Sequence, residues 1–374
     1  LKAAVTILVF CVAALLALGM VMLYSSSMVQ VGAHYLVKQL VWGALGVICC
    51  IAAAAIDYRW LRKFALPLLV FSAILLALVI EVHIGTKAGG ARRWFDFHGV
   101  RFQPSEMGKI ALIIAIAWYG ERFQRQMTSW TKGILVPCLF IGVIVGLIFV
   151  EPDRGTAILL SAVSAAMLVI AGVRWTYIVP PATLASAWLA FSLYHDPMRM
   201  KRIFSWLYLE ENKNGVGYQA YQAMLALGVG GWTGLGLGNG RQKLGFVPKN
   251  HTDFIFSIIG EELGLVATIS VVAAFVAIVF CGVYIARKAP DVFGMLLASG
   301  ITFLIGLQAL INIGVVTSAL PNKGLPLPFI SYGGSNLLMM LTCVGLLLSI
   351  ARFARTAESA QAGEAQEIKE AKLS

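Results

Sequence analysis

Asp253 stands where a polar, basic segment gives way to a strongly apolar run, in PKNHTDFIFSIIGEE, residues 248–262. A carboxylate at the rim of a membrane-type helix is costly unless it is hydrated, paired or used, which makes Asp253 a candidate for function. The competing role for Thr252 and Asp253 is to cap the helix that follows, which both residue types do well. Three more polar clusters interrupt apolar sequence. The run GGARRWFDFHGVRFQPSEMGK, residues 89–109, carries Arg92, Arg93 and Trp94, then Glu106 and Lys109. The last two are spaced i,i+3, which lets them pair on one helix as a structural salt bridge. Trp94 suits either an interfacial anchor or a stacking surface for a sugar ring. In EPDRGTA, residues 151–157, Glu151, Asp153 and Arg154 crowd a break made by Pro152 and Gly155. Charged breaks of this kind line a cavity or form a tight surface turn, and the density of ionisable groups favours the cavity. The fourth cluster, NKGLPLPFISYGGSN at 322–336, has Lys323 as its single charge.

These clusters need a frame. With 59% hydrophobic and 13% charged residues over 374 positions and a mean hydropathy of +0.83, the chain is an integral membrane protein rather than a soluble one. Apolar runs at 3–25, 36–56, 64–82, 105–120, 133–150, 156–172, 177–194, 254–285, 291–314 and 333–352 have lengths suited to membrane helices. They are continuous rather than alternating, which excludes a barrel. The expected fold is an all-α polytopic membrane protein of about ten transmembrane helices, with a large extracytoplasmic loop between helices 7 and 8. The run 3–25 has the apolar character of a signal peptide but lacks a clear small-residue cleavage site, so it is read as a span. Cys11, Cys49, Cys50, Cys138, Cys281 and Cys343 all fall in apolar runs without zinc-type spacing, and are read as packing residues.

Arg59, Arg62, Lys63, Arg122, Arg125, Lys132, Arg174, Arg287, Lys288, Arg352 and Arg355 all fall on the side of the two termini. The positive-inside rule therefore makes both termini cytoplasmic. One transmembrane domain is expected over 1–353, with extracytoplasmic loops 83–103 and 195–253, followed by a polar, mobile cytoplasmic tail over 354–374. The outer loops are basic as well, with Arg199 and Lys243 among their charges. Such charge against the bias meets anionic lipid head groups or builds a site for a phosphate-bearing lipid or sugar, with arginine as the clamp. The glycine run GVGGWTGLGLGNG follows no strand and opens no βαβ unit, so a nucleotide-binding loop is rejected. Residues 218–227 fit an amphipathic helix lying on the membrane.

GARRW, QPSE, EPDRGTA, HTDFIFSIIGEE and PLPFISYGGS, in this order and helical frame, resemble the SEDS family of cell-wall proteins, the FtsW, RodA and SpoVE group. The likeness spans nearly the whole chain. GLGNGRQKL and KGLPLPFISYGG are more similar to the division branch than to the elongation branch. Where the family pattern has LPE ahead of HTDF, Val247, Pro248 and Lys249 stand here, turning an acidic position basic.

The resemblance implies a peptidoglycan glycosyltransferase of the bacterial cytoplasmic (inner) membrane that polymerises lipid II at the outer face. It further implies a class B penicillin-binding protein as transpeptidase partner, together with other division proteins, and no nucleic acid. By the same resemblance Asp253 is essential for polymerisation. Trp94, Glu106, Lys109 and Asp153 are charged or aromatic motif positions at the substrate, and His251 and Ser331 join them from HTDF and SYGG. Polymerisation needs a base for the acceptor hydroxyl, assigned to Asp253. It also needs positive charge for the departing undecaprenyl pyrophosphate, with Arg92, Arg93, Arg199, Lys243 and Lys323 as candidates. A divalent cation, Mg2+ or Mn2+, would be able to share that work, although the sequence shows no dedicated carboxylate cage. With no second carboxylate placed as nucleophile, inversion in one displacement is the simpler expectation. The rival reading is a flippase carrying lipid II across the membrane, and a third is a scaffold recruiting division proteins. Clustering of the polar motifs on one side, and no internal repeat visible between the halves, speak against the flippase.

Overall fold

A computed structural model of the protein describes residues 1–32, 34–80, 86–88, 91–97, 100–242 and 252–373. Each of the ten apolar runs becomes a helix. They are α1 (Lys2–Val31), α2 (His34–Ala55), α3 (Leu61–Ile80), α4 (Pro104–Arg122), α5 (Val136–Val150), α6 (Arg154–Ile170) and α7 (Trp175–Tyr194). After two shorter helices come α10 (Ile255–Lys288), α11 (Val292–Val316) and α12 (Gly334–Leu373). Among the described residues, eight helical stretches are long and apolar enough to cross a membrane. The other two are α6, which is shorter, and α4, which carries Glu106 and Lys109 inside the bundle. The centre consists of α4, α10, α11 and α12, whose apolar side chains such as Leu112, Ile258, Leu297 and Leu347 are fully buried. By contrast α7 turns Leu184, Trp188 and Phe191 outward, as a helix facing lipid does. The six cysteines are free, as expected of packing residues.

Three further features lie outside the ten apolar runs. Residues 86–102 hold a small antiparallel sheet, with β1 (Thr86–Ala88), β2 (Ala91–Phe97) and β3 (Val100–Phe102) in that order. The long segment after α7 folds into α8 (Pro197–Leu207), capped by Asp196 through the Met198 and Arg199 amides, and α9 (Tyr218–Gly230). The helix expected around 218–227 is present, and it buries Ala223 and Ala226 while packing against α10. Finally, the backbone of 354–373 continues α12 as helix, in keeping with its Ala, Glu, Gln and Lys content, and Lys288 pairs with Glu358 at 3.0 Å.

Helix α10 is two helices joined at Gly264, whose φ of 77° breaks the ladder. A helix break strands amides and carbonyls. Here the glycine turn after α9 takes them up. Leu265 and Val266 donate to the carbonyls of Gly231 and Trp232, while Leu235 and Gly236 donate to those of Glu261 and Glu262. The Glu261 carboxylate then accepts the Arg241 and Gln242 amides, and the Glu262 carboxylate accepts Ser25 Oγ and the Gly238 amide. The half-helix behind Asp253 is thereby bound to the turn that leads towards it.

At the far end of the bundle, Asp291 caps α11 and gathers Tyr58 Oη at 2.7 Å, Arg59 at 3.1 Å and Arg62 at 3.1 Å. Arg62 also pairs with Glu121 at 2.8 Å, so this end is fastened by charge across α3, α4 and α11.

Candidate active site

The sheet, the α5–α6 break, α8, α9, the start of α10 and the segment before α12 converge on one cavity of about 460 Å³. Its lining includes Asp253 and Lys323 together with Arg93, Arg154, Arg199 and Arg202. Asp153 supplies the second lining carboxylate. Arginine and lysine in a partly enclosed polar space suit an anion with several oxygens.

Each of these groups has a definite local setting. Asp153 is spent on architecture: it caps α6 through the Thr156 amide at 3.2 Å and accepts Thr156 Oγ1 at 3.0 Å. Arg93 donates to the carbonyls of Glu151 and Pro152 at 3.0 and 2.7 Å, and stands 3.9 Å from Asp153, so it ties β2 to the α5–α6 break. Arg199 pairs with Asp196 at 2.9 Å one turn away on α8. Arg154 gives one nitrogen to Ser192 at 2.8 Å and lies 4.9 Å from the Phe149 ring, but its Nε and one terminal nitrogen are buried without a hydrogen-bond partner among the described residues. Lys323 is nearby. Burial, and then the Arg154 charge, hold its ammonium below the usual lysine range. With Arg154 and Lys323 both on its lining, the cavity suits an anion.

Asp253 sits in the turn that opens α10, and its backbone is held from behind the cavity. Asn312 Nδ2 donates to the Asp253 carbonyl at 2.8 Å and to the Leu325 carbonyl at 2.7 Å. Ser331 Oγ donates to the Thr252 carbonyl at 2.6 Å and accepts the Leu327 amide at 2.8 Å. Ser331 is therefore buried beneath the site rather than on its wall. Glu106 and Lys109 form the i,i+3 pair anticipated from their spacing, at 2.7 Å, with both side chains buried. Lys109 also donates to Gln308 Oε1 at 3.1 Å, and neither member of the pair lines the cavity. Trp94 is half-buried on β2 and also stands off the lining.

Of the sequence candidates, then, Asp253, Asp153, Arg93, Arg199 and Lys323 meet at the cavity. Lys243 and His251 lie outside the described residues, as does the side chain of Arg92. Sequence reasoning left out Arg154 and Arg202, although Arg154 was visible in EPDRGTA. It also passed over Gln308 and Asn312, whose signal was two amides four residues apart in an otherwise apolar run. Among the described residues, no group of three or more His, Cys, Asp or Glu side chains is arranged to hold a metal ion.

A family model described as the cell cycle protein family FtsW/RodA/SpoVE matches residues 6–356. Curated relatives include a probable peptidoglycan glycosyltransferase FtsW of Trichlorobacter lovleyi, 41% identical over 92% of this chain and 92% of its own length. The protein of the same name from Coxiella burnetii is 38% identical over 92% of this chain and 95% of its own. Among solved structures, a chain from a work on the structural coordination of polymerization and crosslinking by a peptidoglycan synthase complex superposes with a TM-score of 0.79. It is 28% identical and covers 93% of this chain and 97% of its own. The rod shape determining protein RodA of Thermus thermophilus superposes with a TM-score of 0.68 at 28% identity, over 92% and 95% of the two chains. A match over nearly the full length, with residues of GARRW, EPDRGTA and HTDF meeting at one cavity, places this chain in the FtsW/RodA/SpoVE family of multi-pass membrane proteins.

Proposed function

We propose that this protein is a peptidoglycan glycosyltransferase that polymerises lipid II, with the cavity around Asp253 as its active site. The observation that carries the reading is the shared lining: a carboxylate at a helix start facing a space rimmed by Arg93, Arg154, Arg199, Arg202 and Lys323. Since Asp153 is committed to capping α6, Asp253 is the lining carboxylate assigned to proton transfer. In the reaction, the acceptor hydroxyl oxygen bonds to the donor's anomeric carbon as its proton passes to Asp253. The bond from that carbon to the pyrophosphate oxygen breaks, and the electron pair leaves on undecaprenyl pyrophosphate. Lys323 and Arg154 stabilise the charge that builds there, as preorganised donors do in a partly dry site. One displacement inverts the anomeric centre.

The names of the relatives support the activity, and the motifs place the chain nearest the division branch. A crosslinking partner of the class B penicillin-binding type accords with the synthase complex in which the structural neighbour was solved. The basic short loops on the side of the termini support cytoplasmic ends in the inner membrane, with the cavity outside. A flippase needs a path through both ends, whereas here the polar space gathers at one end and the other is tied by Asp291, Arg59, Arg62 and Glu121.

The deciding experiment measures glycan polymer formed from purified lipid II by the full chain with its transpeptidase, comparing wild type with Asp253→Asn. Polymer from the wild type and none from a folded, partner-binding variant is the expected result. Normal polymer from the variant removes Asp253 as base. Transfer of lipid II across vesicles without polymer establishes the flippase instead.

A further inference from the structure

The two buried amides of α11 reach further into the reaction than their apolar setting suggests. Gln308 and Asn312 are 0% and 1% exposed and share one helix face. Gln308 accepts from Lys109 and donates to the Pro326 carbonyl at 2.9 Å and to Asn336 Oδ1 at 3.2 Å. Asn312 spends both hydrogens of its amide nitrogen on the carbonyls of Asp253 and Leu325. Those two acceptors settle which way the Asn312 amide points, because the flipped form would set its oxygen against two carbonyl oxygens. Leu325 in turn donates its own amide to the Lys323 carbonyl at 3.0 Å.

One side chain thus ties the backbone of Asp253 to the backbone two residues from Lys323. Resting on the reading of Asp253 as the base, we infer that Asn312 is a positioning residue that fixes the separation between the base and the leaving-group cation. Neither leucine nor alanine supplies any donor for the two carbonyls. Serine supplies one, and only an unbranched terminal amide supplies two at this reach. Ser331 and the pair Glu106–Lys109 act in the same brace: Ser331 holds Thr252, and Lys109 orients Gln308 against Pro326.

The test uses the full chain with its transpeptidase and purified lipid II, and compares Asn312→Leu, Asn312→Ser and Asp253→Glu. Loss of position shows in turnover rather than affinity, since displacement by about an ångström costs on the order of 100-fold in rate. Asn312→Leu is expected to lower kcat by roughly that factor, with KM within about threefold of wild type. Asn312→Ser should fall between the two. When Asp253→Glu has already displaced the carboxylate, adding Asn312→Leu should cost little more, because residues acting as one unit are not additive. Wild-type kcat in Asn312→Leu overturns the inference. So does a kcat loss matched by loss of folded protein on a melting curve, and so does full multiplication of the two losses. Asp253→Asn, run beside them, separates the failures. If it polymerises, the base assignment falls and takes the inference with it. If it is dead while Asn312→Leu is normal, only the positioning role falls.

Discussion

Gly324 lies against the Asp253 carboxylate: a methyl group in its place would stand 2.6 Å from Oδ2. No real Cβ sits that close to an oxygen, so something must move. The carboxylate is the movable part, because the Asp253 carbonyl is pinned by Asn312.

Gly324→Ala is therefore expected to cut polymerisation about tenfold or more by turning the base off its line, a geometric effect rather than a loss of charge. Its melting temperature should stay close to wild type. Steady-state kinetics beside a melting curve checks this. Full activity would mean that the carboxylate swings aside without consequence.

Lys323 and Arg154 make a prediction in pH. Burial and the Arg154 charge hold the Lys323 ammonium below its usual range, so rising pH neutralises it early. Each Lys323 that loses its proton removes one positive charge from the leaving pyrophosphate, which places an alkaline limb in the pH–rate profile. Replacing Arg154 with Gln removes a like charge, so the limb should move to higher pH even as the maximal rate drops. A limb that stays put in Arg154→Gln would assign the alkaline transition to another group.

Glu151 predicts how stability depends on pH. Its side chain is 2% exposed, and neither carboxylate oxygen has a hydrogen-bond partner among the described residues. Burial pushes the carboxyl up to about 8, with Asp153 adding to the rise and Arg93 opposing it. In the unfolded chain it ionises near its ordinary value of 4.5. Between those values the folded state holds the proton and the unfolded state does not, so stability falls as pH rises and levels off above the higher one. Glu151→Gln keeps the shape without the ionisation. Its melting temperature should gain on wild type from about pH 5 to about pH 9. Parallel curves for the two proteins would show that Glu151 is ionised throughout.

The sequence was legible where one residue type carries one consequence. Ten apolar runs gave ten helices because a lipid-facing segment must satisfy its own backbone. Asp253, Asp153, Arg93, Arg199 and Lys323, which share the cavity lining, were singled out by charge beside apolar sequence together with the family motifs. The i,i+3 spacing of Glu106 and Lys109 foretold their contact, yet not that it would lie behind the site. Asn312 and Gln308 were missed because a neutral amide inside an apolar run carries no local clue to its partner. The partners, Asp253 and Pro326, come from distant sequence. The sheet at 86–102 and helix α8 went unread for a different reason, being short elements in loops whose turns and charges mask their periodicity.

The cations of the cavity come from β2, the start of α6, α8 and the segment ahead of α12, and no single stretch of chain holds more than two of them. Concentrated positive charge therefore exists only once these parts have come together, and when empty they repel one another. A polyanion filling the space cancels that repulsion and binds the assembled state alone, so occupancy and folding are thermodynamically linked. On the function proposed above, a lipid pyrophosphate seated here would act as a strut as well as a reactant, bracing the half of the protein that carries the cavity.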